Sequence, residues 1–210
     1  MRSMVTRLRL EQLSGVGWLP TAIPSPHRSL DGWAQKARAC RACRLCEGRH
    51  HVVFGEGNPE ARLLFIGEAP GMEEDLQGRP FVGAAGELLT RIIRALGFTR
   101  DDVYIANMVK CRPPQNRLPL PDELAACRRY LDAQIALIQP RAICALGRTA
   151  ANALLHTEAP VGALRGTVHH VGDIPVVVTY HPAHLLRHPE AKRDTWADVQ
   201  QLLPYLKEPP

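Results

Sequence analysis

The apolar run Ala61-Arg62-Leu63-Leu64-Phe65-Ile66 breaks off at Gly67-Glu68-Ala69-Pro70-Gly71, and an amphipathic segment follows from Gly86. A short apolar run closed by Gly and Pro reads as a buried strand that leaves through a sharp loop. Strand, loop and helix in that order put the loop at the carboxyl end of a parallel strand, where open α/β sheets bind ligands. Gly67, Pro70 and Gly71 bend the backbone and let a flat ligand come close. The loop also carries Glu68, Glu73, Glu74 and Asp75, and runs on to the aromatic face of Phe81. Taken alone it reads equally well as a solvated acidic turn, so the rest of the chain has to decide.

The same pattern recurs. Asp102–Val109 is a second strand with Asn107 near its carboxyl end, and Ala142–Leu146 is a third. Val168–Val171 and Ile174–Thr179 read as paired strands joined by a Gly-Asp turn. Between them lie helical faces: Leu88, Leu89, Ile92, Ile93 and Leu96, closed by Gly97, and Leu124, Cys127, Leu131 and Ile135, opened by Pro121-Asp122-Glu123. A further helix opens at Gly147-Arg148-Thr149, and Asp194 to Leu206 reads as the closing helix. Strands alternating with helices predict a mostly parallel sheet with helices on both faces, a three-layer α/β sandwich.

With 210 residues the chain has room for one domain with a sizeable core. Residues 1–28 are expected to form a flexible N-terminal arm, rich in Pro near its end, and residues 29–210 a single domain. The net charge of +5 suits a polyanionic partner without proving one. No apolar run approaches the roughly 18 residues of a membrane span, and residues 1–28 hold no signal-peptide core. A cytoplasmic protein is therefore expected, in which six cysteines are metal ligands or buried thiols rather than disulfides.

Four or five of those cysteines are patterned. Ser29 caps a helix that delivers Cys40-Arg-Ala-Cys43-Arg-Leu-Cys46, while Cys111 and Cys127, farther on, are separated by fifteen residues. Thiolate-only ligation suits zinc or a [4Fe–4S] cluster, and no histidine sits at finger spacing beside these cysteines. Cys144 lies within an apolar strand and reads as a small core residue. Cys46 stays open on spacing alone, because Cys40, Cys43 and Cys46 also make a ferredoxin-like run.

Two further loops carry chemistry. Lys110-Cys111-Arg112-Pro113-Pro114-Gln115-Asn116-Arg117 is basic and stiffened by proline, either a rigid connection or a set of cations along a phosphate backbone. Tyr180-His181-Pro182-Ala183-His184-Leu185-Leu186-Arg187 closes the last strand with a histidine, followed by two leucines expected in a short loop.

Taken together, Gly67-Glu-Ala-Pro-Gly71 with Glu74-Asp75, Gly78-Arg-Pro-Phe-Val-Gly83, Asn107, Lys110-Cys-Arg-Pro-Pro-Gln-Asn-Arg117 and His181-Pro-Ala-His-Leu-Leu-Arg187 resemble the iron–sulfur uracil-DNA glycosylases of the family 4 type. The resemblance runs from about Cys40 to the closing helix. It implies a central four-stranded parallel sheet, a [4Fe–4S] cluster held by Cys40, Cys43, Cys111 and Cys127, and removal of uracil from DNA in base excision repair. It sets Cys46 outside the ligand set.

The resemblance also implies roles. Glu68 and His181 are the catalytic pair, one positioning water and the other donating to uracil O2. Gly67, Ala69, Phe81 and Asn107 hold the base, with Asn107 reading its edge. Thymine matches uracil on that edge, so its methyl must be blocked sterically, and Glu74 is the candidate for that. Leu185 or Leu186 fills the gap left by the flipped base, and Arg187 and Arg112 hold phosphates. The chain departs from the family at His184 and in the length of its arm. Cluster-free uracil glycosylases carry a water-activating aspartate where this chain has Ala69. A covalently trapping branch carries a basic insertion that is missing between Lys110 and Pro121, so turnover on uracil-containing DNA is expected, by a monomer. The alternative is a non-catalytic or covalently trapping uracil-DNA binder on the same fold.

Overall fold

The computed structural model describes residues 29–207. The arm assigned to residues 1–28 lies outside the described residues.

Short apolar runs build the centre: β1 Glu56–Gly57, β2 Leu63–Gly67, β3 Tyr104–Asn107, β4 Ala142–Leu146, β5 Val168–Val171 and β6 Ile174–Thr179. They form one sheet in the order β1-β3-β2-β4-β6-β5. The pairs β3·β2, β2·β4 and β4·β6 are parallel, while β1 and β5 join antiparallel at the two edges. The expected four-stranded sheet is thus the parallel centre of a six-stranded one. Helices cover both faces: α1 Leu30–Arg38, α2 Leu45–Gly48, α3 Met72–Gln77, α4 Ala84–Ala95, α5 Pro121–Ile138, α6 Arg148–Leu155, α7 Val161–Leu164, α8 Pro182–Arg187, α9 Lys192–Gln200 and α10 Leu203–Leu206.

Alternation along the strands divides the core. Leu64, Ile66, Ala106, Ile143 and Val178 face one helical layer with Leu131 and Ile135 of α5. Leu63, Phe65, Ile105, Cys144 and Val177 face the other with Leu89 and Ile93 of α4 and Val199 of α9. Because β2 and β4 are buried along their whole length, they read as continuous apolar runs, as central parallel strands do. Cys144 is fully buried in this layer, as a small core residue.

A third cluster packs Trp33, Phe54, Val109 and Tyr130 around Cys111 and Cys127. Helix α1 brings Trp33 edge-on to Tyr130, ring centroids 5.9 Å apart, and Ser29 accepts from Gly32 N at its start. The segment after β6 differs from the expected loop. Leu185 and Leu186 lie in α8, because Pro182 sits at its first turn and the His181 ring caps it. The closing helix is likewise split into α9 and α10.

Candidate active site

The parallel register sets the site. Gly67 of β2 pairs directly with Asn107 of β3, and β2 continues beyond its end through bonds from Met108 N to Gly67 O and from Val109 N to Glu68 O. Loops leaving β2, β3 and β6 enclose a cleft of about 470 Å³ at the carboxyl edge of the sheet. That volume is typical of a small-molecule site. Glu68, Ala69, Glu74, Phe81, Asn107, His181 and Arg187 all line it.

Gly67 forms the floor beneath them. A Cβ there would lie against Asn107 Oδ1 and 2.5 Å from Phe81 Cζ. Only glycine lets the strand, the amide and the ring crowd so closely. Asn107 is 1 % exposed, and its Oδ1 has no hydrogen-bond partner. An unsatisfied buried acceptor is costly and rare in a native fold.

Phe81 is buried in the left-handed region at φ 52°, a strained conformation for a bulky residue. Its neighbours impose it. Arg100 donates to the carbonyls of Pro80 and Phe81 at 2.7 and 3.0 Å. Gly86 of α4 packs so tightly on the Phe81 carbonyl that a side chain would collide with it. Glu74 completes the brace: Oε1 accepts from Val82 N and Gly83 N at 2.9 and 3.0 Å, and Oε2 accepts from Gly71 N at 3.1 Å. Three amides occupy the carboxylate that sequence reading assigned to blocking a methyl group. Of the other loop acids, Asp75 is buried and accepts from the backbone and ring of His50, and Glu73 is exposed.

His181 stands at the mouth of β6 with its ring 5.6 Å from that of Phe81. Burial, then the charge of Arg187, pulls its pKa down to about 4 against the opposing pull of Glu74. At neutral pH the ring is therefore uncharged. Ala183 N donates to its Nδ1 at 3.2 Å, which puts the single proton on Nε2.

Glu68 takes a hydrogen bond from Thr149 Oγ1 at 2.5 Å. Burial raises its carboxyl pKa and this hydroxyl opposes the rise. Thr149 sits in the first turn of α6, 81 residues from Glu68, and reading the sequence did not single it out.

The expected DNA-contacting residues separate. Leu185 is 1 % exposed and lines an apolar hollow between α4 and α9, so its assignment as a wedge is corrected. Leu186, one residue on, is 43 % exposed. Arg187 is exposed at the cleft, and Arg112 lies outside it, in a neighbouring hollow with Arg44. The basic loop is less available than its composition suggested. Lys110 is buried, and Arg117 is held by both carboxylate oxygens of Glu123 at 2.6 and 2.8 Å.

Cys40, Cys43, Cys46, Cys111 and Cys127 surround one small cavity, and none of them forms a disulfide. Among the described residues, no three His, Cys, Asp or Glu side chains converge on a single-ion position. Three of these sulfurs accept N–H bonds: Cys111 from Arg49 Nη1 at 3.2 Å, Cys127 from Lys110 N at 3.3 Å and Cys40 from Arg129 Nη2 at 3.4 Å. Burial raises the Cys127 thiol pKa to about 11, so the thiolate needs positive charge beside it. Donors aimed at sulfur and five cysteines around one cavity fit an iron–sulfur cluster.

Fold and site together define an α/β protein whose sheet edge carries a cleft lined by an aromatic ring, an amide and an uncharged imidazole. A profile of the uracil DNA glycosylase superfamily matches residues 54–206, and the chain belongs to that superfamily. It is 44% identical to the Type-4 uracil-DNA glycosylase of Thermotoga maritima, over 83% of this chain and 93% of that one. The Type-4 enzymes of Archaeoglobus fulgidus and Saccharolobus solfataricus are 40% and 42% identical. Those alignments span 83% and 87% of this chain, and 92% and 88% of theirs. A Type-5 uracil-DNA glycosylase of Thermus thermophilus is 36% identical over 60% of this chain and 71% of its own length. No helix among the described residues is long and apolar enough to cross a membrane.

Proposed function

We propose that this protein flips uracil out of DNA and hydrolyses its N-glycosidic bond, leaving an abasic site for base excision repair. The observation that carries the reading is the unpartnered Asn107 Oδ1 at the cleft floor. Uracil offers an N3–H donor there, while the Asn107 NH2 donates to O4. Cytosine presents an acceptor at N3 and a donor at N4, so the pattern opposes it. A site built around such a bond can reject the wrong base by about 10⁴. Phe81 supplies the stacking face, and Ala69 leaves room beside it.

Cleavage leaves negative charge on the departing base and positive charge on the sugar. His181, neutral with its proton on Nε2, donates to uracil O2 as that charge develops, without itself becoming an ion. Glu68, one oxygen tied to Thr149, holds the attacking water and faces the cationic sugar. Glu74 fixes the loop that presents Phe81. Leu186 occupies the gap left by the flipped nucleotide, and Arg187 and Arg112 hold phosphates, with affinity that falls as salt rises.

Cys40, Cys43, Cys111 and Cys127 would hold a [4Fe–4S] cluster, which supplies a structural clamp on the loop from Asn107 to Arg117. The protein acts as a cytoplasmic monomer. The experiment is anaerobic incubation with a labelled oligonucleotide carrying one uracil, followed by alkali. Strand scission at the uracil, lost in Asn107→Ala, supports the reading. An intact absorption band of the cluster without scission, or a protein–DNA adduct that survives denaturation, overturns it.

A further inference from the structure

Between the basic loop and α5 the chain is held unusually firmly. Arg117 binds both oxygens of Glu123 and also donates to Leu118 O at 2.9 Å. Glu123, fully buried, accepts in addition from Leu120 N at 2.8 Å. Pro119 is buried and Pro121 opens the helix. In the middle of this pinned segment Leu118 is 65 % exposed, more than any other large apolar side chain among the described residues.

A single exposed leucine needs no explanation by itself. This one lies at the mouth of the cleft. Its loop follows β3, whereas Leu186 follows β6, and β2 and β4 stand between the two strands. Three inter-strand steps set the roots of the two loops about 14 Å apart, on opposite lips. The α8 lip is stiff as well: the rings of Tyr180, His184 and His188 stack along it at 4.9 and 4.4 Å. On the Leu118 lip the Arg117 guanidinium is paired with Glu123, whereas on the other lip Arg187 is exposed.

We propose that Leu118 is a second apolar wedge, which enters the base stack of duplex DNA from the lip opposite Leu186 and supports the helix while uracil is out of it. The proposal rests on the glycosylase reading. An extruded base leaves two unstacked neighbours and an unpaired partner, and each costs free energy that an inserted side chain recovers. Single-stranded uracil has no such stack to support.

The test is single-turnover excision by Leu118→Ala on uracil in a single strand and in a duplex. The single-strand rate should stay within about twofold of the unaltered protein, and the duplex rate should fall by about tenfold or more. Leu118→Met should restore the duplex rate, and 2-aminopurine beside the uracil should lose its fluorescence rise on binding Leu118→Ala. Equal rates on both substrates, or an equal fall on both, overturn the wedge while leaving the glycosylase reading in place. Failure of the unaltered protein to excise uracil from either substrate overturns both.

Discussion

Lys110 Nζ donates to the backbone carbonyl of Asn107 at 2.8 Å and to Gln134 Oε1 at 2.6 Å, entirely within the protein. Gln134 in turn donates to Phe54 O, and the Lys110 amide donates to Cys127 Sγ. One residue thus ties Cys127, a proposed cluster ligand, to Asn107, the proposed reader of the base. Lys110→Met leaves two buried acceptors without a donor, at about 1–3 kcal/mol each. The expected result is a lowered melting temperature, together with a kcat/KM loss that falls mainly on KM. An unchanged melting curve would remove Lys110 from this role.

Gly67→Ala tests the cleft floor. The added methyl meets Phe81 and Asn107 and shifts both from the stacked base. Misplacement on this scale costs about 10²-fold in kcat/KM. Circular dichroism should remain that of the unaltered protein, because the change affects side chains in the cleft rather than the strand ladder.

Thr149→Val removes the hydroxyl that counteracts the raised pKa of Glu68. The carboxyl pKa then moves further up, and a larger fraction is protonated at acid pH. The acid limb of the pH–rate profile should shift to higher pH, with the rate at alkaline pH changed far less. An unshifted limb would mean that ionised Glu68 is not required.

His181 should contribute no titration near pH 6.5, because its folded pKa lies near 4. Its share of the rate persists until the pH falls toward that value, and His181→Ala should slow single-turnover chemistry by about 10²–10³-fold with little effect on binding. Stability follows the same shift. Between about pH 6.5 and 4 the unfolded chain binds a proton that the folded chain refuses, so folding weakens on acidification through that window. Melting temperatures of His181→Gln should fall less steeply across it.

The layout of the fold was legible because each central strand ends in an abrupt change of chemistry, at Gly67, Asn107, Gly147 and His181. The antiparallel edge strand Glu56–Gly57 was not, since two residues carry no periodicity. Leu185 and Leu186 were indistinguishable in sequence. Their separation comes from α8, where one residue's rotation turns one side chain into the core and the other outward. The bracing role of Glu74 was hidden for a different reason: its partners are backbone amides, which no residue type advertises. The bond between Thr149 and Glu68 joins the first turn of α6 to the loop after β2, brought together only by the strand order.

The bare oxygen of Asn107 has a consequence for the resting protein. An acceptor buried without a donor costs a fold about 1–3 kcal/mol. Free uracil, which meets that need, should raise the melting temperature, and Asn107→Leu should yield a sturdier but idle protein. The fold is completed by the damage it seeks.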